Sequence, residues 1–153
     1  MSEPDLKDLP EICLGSSARL AARSMMRVYA LHMGDLDLNF PQFGLLVALA
    51  QLPGRNVREI ADRVGLDAST LTRSIALLER RGAVTGDGGR GRAGKLLRLT
   101  PAGEALLQQA LKAWGAAQAE LVAELGEAEA DETRRSLARM RNAALRVAEK
   151  MDL

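Results

Sequence analysis

The sequence predicts a mainly α-helical chain with one small β-hairpin. Its 153 residues are rich in Ala and Leu and only 3% aromatic, which is helix-favouring usage. Apolar side chains recur at three- and four-residue spacing through most of the chain. Only residues 83–99 break that period, with two short extended runs around a stretch holding Gly86, Gly88, Gly89, Gly91 and Gly94.

Taken in order, the first helix is expected over residues 10–33, with Leu20, Met25, Val28 and Leu31 among its apolar positions, and Gly34 and the polar stretch after it as the stop. Pro41 suits a first helical turn, where its missing N–H goes unused, and opens a second helix to about Leu52. Pro53-Gly54 ends it. Asn56, with Glu59 three residues on, forms a capping box for a short third helix, which Gly65 terminates. Asp67 caps a fourth helix over residues 68–81, where Leu71, Ile75 and Leu78 make one buried stripe, and Gly82 stops it. Two helices joined by a short glycine turn form a helix-turn-helix pattern.

Residues 83–85 and 95–99 then read as two strands around the glycine-rich basic loop, a hairpin or wing. Thr100-Pro101 starts a long helix to about Leu125 with Leu107, Leu111, Trp114, Leu121 and Leu125 on one edge. A last helix is expected over residues 128–151, where Leu137, Met140, Ala144, Val147 and Met151 follow heptad spacing. The long first, fifth and sixth helices carry more apolar seam than one small module can cover. A second copy of the chain is the economical partner, and an intramolecular bundle the alternative. The organisation is thus an N-terminal dimerisation helix (1–40), a winged helix-turn-helix lobe (41–100) and C-terminal dimerisation helices (101–153).

Composition excludes several classes. Apolar residues at 47% and charged residues at 27% do not suit wholesale disorder. No apolar run approaches the ~20 residues of a membrane helix, and acidic residues at the start argue against a secretory leader, so a cytoplasmic location is expected with no membrane partner. One cysteine, Cys13, and one histidine, His32, build neither a disulfide scaffold nor a multi-histidine metal site. No metal or cofactor is expected.

The net charge of +1 conceals a partition. Residues 1–53 carry −2, residues 54–99 carry +5 and residues 100–153 carry −2. Nine of the ten basic residues in the central block are arginines, the side chain suited to bidentate contact with phosphate and guanine. A merely solvated basic surface is the plainer reading. Within the glycine loop, Gly89, Gly91 and Gly94 spell G-x-G-x-x-G, and residues 89–95 spell G-x-x-x-x-G-K. Both nucleotide motifs need a helix after the glycines, because the phosphate rests on its N-terminus. Here a strand comes next, and Leu96 stands where a P-loop needs Ser or Thr, so nucleotide binding and an enzyme built on it are not expected.

The runs VREIADRVGLDASTLTR (57–73), LERRG (78–82) and LLRLTPAG (96–103), with the spacing from Tyr29 to Pro41-Gln42-Phe43, closely resemble the MarR family of bacterial winged helix-turn-helix transcriptional regulators. The resemblance covers nearly the whole chain. It implies a non-enzymatic homodimer, a repressor or activator, that binds a pseudo-palindromic double-stranded DNA operator. The fourth helix becomes the recognition helix, so Ser69, Thr70, Thr72 and Arg73 are candidate contacts, with Arg58, Arg90, Arg92 and Lys95 around them. Ser69 and Thr70 have a second reading as first-turn capping helpers.

The wing departs from the family pattern: its usual Asp-x-Arg pair aligns with Gly91 and Ala93. Arg90 and Arg92 become substitute contacts. The family also responds to small aromatic or phenolic ligands near the end of the first helix, which makes Tyr29, His32 and Met33 candidate ligand residues. For His32 a helix-capping role, and for Met33 core packing, are the plainer readings. A subset of the family senses oxidation, which makes Cys13 a candidate redox residue. Asp8 and Glu11 nearby are expected to disfavour its thiolate, and an apolar packing role is its alternative. A winged-helix interaction module without DNA contact is the remaining competitor; its mark would be a recognition face lacking Arg, Ser and Thr.

Overall fold

In chain order the protein forms α1 (Leu9–Ile12), α2 (Leu14–Met33), a 3-10 turn (Gly34–Leu36), α3 (Phe40–Gln51), α4 (Val57–Val64), α5 (Ala68–Arg80), β1 (Val84–Asp87), β2 (Leu96–Leu99), α6 (Pro101–Leu125) and α7 (Glu127–Met151). This computed structural model describes residues 5–65, 67–87 and 95–151. The architecture is mainly helical with one antiparallel hairpin, as expected. No helix among the described residues is long and apolar enough to cross a membrane.

The expected first helix over residues 10–33 is in fact two. Cys13 leaves the helical region at ψ 107, so the chain breaks there and restarts at Leu14. Elsewhere the capping chemistry explains the boundaries. Asn56 and Glu59 exchange the reciprocal bonds of a capping box, both at 3.0 Å. A second box, Asn39 with Gln42, opens α3; its Asn-x-x-Gln spacing is the same signal, although Pro41 alone marks this start in the sequence reading. Gly82 ends α5 at φ +68, a left-handed value that costs glycine nothing.

The chain divides into two units, Met1–Trp114 and Gly115–Leu153. The first has one core, in which Leu45, Leu46, Leu49, Ile60, Leu71, Leu78 and Leu97 are fully buried. Burying each such side chain stabilises the fold by about 1.5–3 kcal/mol. All four aromatic residues of the chain run in a row through this unit. Ring centroids are 4.6 Å apart for Tyr29 and Phe40, 5.8 Å for Phe40 and Phe43, and 6.5 Å for Phe43 and Trp114.

Strand β1 pairs with β2 from Val84 opposite Leu99 to Asp87 opposite Leu96, and Arg55 adds a single bridge to Leu97. The base of the hairpin is knotted to the start of α6. The Thr100 hydroxyl donates to the Gly82 carbonyl (2.5 Å) and accepts from the Gly103 N–H (3.1 Å). The Thr100 N–H donates to the Ala83 carbonyl at 3.1 Å. Gly103 must lack a side chain, because a Cβ there would lie 1.9 Å from that same carbonyl oxygen.

In the second unit the helical stretch 115–125 is followed by α7. Ala117 and Ala130 are buried, whereas Leu137, Leu145, Val147 and Met151 of the heptad-spaced helix are exposed.

Candidate nucleic-acid interface

Helix α5 has two sides of opposite character. Leu71, Ile75 and Leu78 are buried in the core, as their spacing predicts. Arg73 and Ser69 are exposed, and Thr70 and Thr72 are half-buried. The same short helix therefore anchors itself with one stripe and offers hydroxyls and a guanidinium with the other.

Its N-terminus is built around Asp67. That carboxylate accepts from the Thr70 N–H (2.9 Å), the Ser69 hydroxyl (2.5 Å) and the Thr70 hydroxyl (2.6 Å). The Ser69 hydroxyl above all, then that of Thr70, holds the acid far below the usual carboxylate range. The capping reading of Ser69 and Thr70 thus describes their geometry. It also limits what they can do for a ligand. With its proton given to Asp67, each hydroxyl presents only lone pairs outward. Toward DNA these oxygens can accept from a base amino group but not donate to a phosphate.

Lys95 is tied down. Its ammonium lies 2.5 Å from the Glu79 carboxylate of α5, and the pair is about two-thirds shielded from solvent. Its stem covers Gly86, where a Cβ would come within 2.3 Å of the lysine side chain. In this geometry Lys95 braces the hairpin base against α5, and its charge is already compensated. A cavity of about 100 Å³ lies between them, lined in part by Val57, Thr72, Glu79, Lys95 and Leu97. The Arg58 side chain and the residues Arg90 and Arg92 lie outside the described residues. Strand β2 comes after the glycine run, so the two nucleotide motifs have no helix N-terminus behind them.

The residues proposed for a small ligand gather at the end of α2. Met33 has no exposed surface and belongs to the core, Tyr29 is 4% exposed, and His32 is half-buried. Burial raises the Tyr29 phenol above its ordinary pKa. Cys13 corrects two expectations. It is exposed rather than packed, and its thiol is shifted down, first by the backbone N–H of Ser16, then by the Ser16 hydroxyl and the Gly15 N–H. Those groups sit at the open N-terminus of α2, and the nearby Arg19 charge acts in the same direction.

Arg81 is not singled out by the sequence. From the C-cap of α5 its guanidinium donates to the carbonyls of Asp37 (2.7 Å) and Leu36 (2.9 Å). No local pattern announces a bond spanning more than forty residues.

The model of the MarR family matches residues 36–93. Among solved structures, the Mycobacterium tuberculosis transcriptional regulator MosR is 30% identical at a TM-score of 0.78, covering 88% of this chain and 97% of its own. The transcriptional repressor CouR, bound to a 23-mer DNA duplex, is 27% identical at a TM-score of 0.78, covering 92% and 99%. PcaV of Streptomyces coelicolor, in complex with its natural ligand, is 25% identical at a TM-score of 0.75, covering 94% and 99%. No relative among the curated proteins matches.

Proposed function

Because the chain belongs to the MarR family of winged helix-turn-helix transcriptional regulators, and is a regulator rather than an enzyme, we propose that it is a cytoplasmic homodimeric repressor. It reads a pseudo-palindromic operator and is released by a small aromatic or phenolic ligand. The observation that carries this reading is the two-sided α5, with its apolar stripe locked in the core and Arg73 exposed on the other side. DNA-bound CouR and ligand-bound PcaV support its two halves.

The mechanism is mechanical. Two copies of α5 enter successive major grooves only when their separation matches one helical turn, about 34 Å. Arg73 contacts guanine or phosphate, Thr72 lies beside it, and Ser69 and Thr70 accept from exposed base amino groups. Arg58, Arg90 and Arg92 add phosphate or minor-groove contacts, and Lys95 holds the hairpin base. The dimer is formed by the exposed apolar residues of α2 and α7, among them Leu20, Leu145 and Val147. A ligand that changes how the lobes sit on that dimer spoils the separation and frees the DNA. His32, the member of the α2 cluster with surface to offer, meets the ligand first, with Tyr29 and Met33 behind it.

Fluorescence anisotropy with duplexes selected from a random pool tests the reading. Arg73→Ala should weaken binding by about 1–3 kcal/mol and relax the preference at one base pair. Wild-type protein that selects no sequence would sink the proposal. Removing Arg90 and Arg92 together should make the salt dependence shallower by about 0.9 for each phosphate left without its arginine.

One observation favours a second reading, an oxidation-sensing regulator of the same fold: the exposed Cys13 with its lowered thiol pKa. Peroxide should then release DNA from the wild type and not from Cys13→Ser. The interaction module without DNA contact is disfavoured by the exposed Arg73.

A further inference from the structure

The Arg81 clasp joins two places that are far apart in sequence. On one side is the last turn of α5. On the other is the 3-10 turn that carries the chain from α2 to α3, where Asp37 adopts a left-handed backbone at φ 48. The two guanidinium bonds, 2.7 and 2.9 Å, come from a single planar fork, a geometry lysine cannot reproduce. Beside the clasp lies an open cavity of about 490 Å³, lined in part by Gly34, Asp37, Asn39, Leu77 and Arg80. Packing therefore leaves space between the turn and the end of α5, and the guanidinium bridges it.

We propose that Arg81 is a positioning residue for DNA recognition, fixing the tilt of α5 against the α2–α3 junction. The role rests on the reading of α5 as the DNA-reading helix. Arg73 lies eight residues from Arg81, about 12 Å along the helix axis. A tilt of about 10° at the clasp moves it by about 2 Å, enough to break a hydrogen bond to a base edge. The 3-10 turn continues directly from Met33, so a displacement of the end of α2 reaches α5 through two hydrogen bonds.

The test uses the full chain and the duplex that wild-type protein selects, together with versions carrying one base pair more or fewer between half-sites. Arg81→Met should lose about tenfold in affinity, keep the wild-type salt slope and discriminate less among the spacings. Arg81→Lys should recover part of both losses, and Arg80→Met, which removes a neighbouring charge, should keep the spacing preference. In the free protein, the Asp37 amide, which donates to Gly34 across the turn, should exchange with solvent faster in Arg81→Met. A shallower salt slope with an intact spacing preference would make Arg81 a phosphate ligand and overturn the proposal. Unchanged affinity and exchange would make the clasp idle. Wild-type protein that binds no duplex would remove the DNA-binding reading itself, and exchange at Asp37 would still report whether the clasp forms.

Discussion

The core of the first unit and the C-terminal helix solve the hydrophobic problem differently. In the first unit, leucines from α3, α5 and β2, with Ile60 of α4, reach full burial, and α3, α4 and α5 each start on a side-chain cap. In α7, 25 residues long, only Ala130 is buried. Leu137, Leu145, Val147 and Met151 are 42–81% exposed. Its exposed surface carries local ion pairs instead, with Glu132 holding Arg135 and Arg139 at 3.0 and 2.7 Å. Such exposed pairs are each worth only a few tenths of a kcal/mol. The first region buries its apolar side chains in one core; the second leaves most of its own exposed.

The contrast can be broken at several points. Leu71→Ala, in the fully buried core, should cost about 2–5 kcal/mol in urea unfolding. A much smaller loss would mean that the lobe is less complete than its burial indicates. Leu145→Asp with Val147→Asp should weaken self-association by about a hundredfold in sedimentation, roughly 2.7 kcal/mol, while leaving the lobe folded. If the wild type already sediments as a monomer, the exposed face of α7 has no second copy to meet. Gly103→Ala, which drives a Cβ into the Ala83 carbonyl, should cost about 1–3 kcal/mol, read as a lowered melting temperature.

The smallest effect concerns Asp67. Its folded-state pKa lies below the ordinary value of about 3.9. Its stabilisation is therefore complete above that value and drains away as pH falls through the folded-state pKa. A carboxyl titration followed by NMR should show the depressed midpoint, and Ser69→Ala should raise it.

Much of the lobe is legible in the sequence because its signals are local. The Asn56–Glu59 box, the Asp67 cap, the Gly82 stop and the Leu71–Ile75–Leu78 stripe are each confined to a few neighbouring residues. The features that escape depend on elements meeting. Lys95 reads as a free cation until the fold brings Glu79, sixteen residues earlier, against it. Met33 reads either as a candidate ligand contact or as core packing, and its complete burial decides for the core once the lobe closes around it. Cys13 interrupts a periodic stretch in which nothing nearby marks a break. For Arg81 no sequence window is wide enough.

The knot of Thr100, Ala83 and Gly103 has a bearing on how such a regulator diversifies. Both ends of the hairpin are clamped to the start of α6 by backbone groups and one hydroxyl. The two strands are thereby anchored at their base, and a substitution that changes the charge they carry leaves the frame beneath them in place. Evolution can then alter what β1 and β2 carry without renegotiating the stability of the whole.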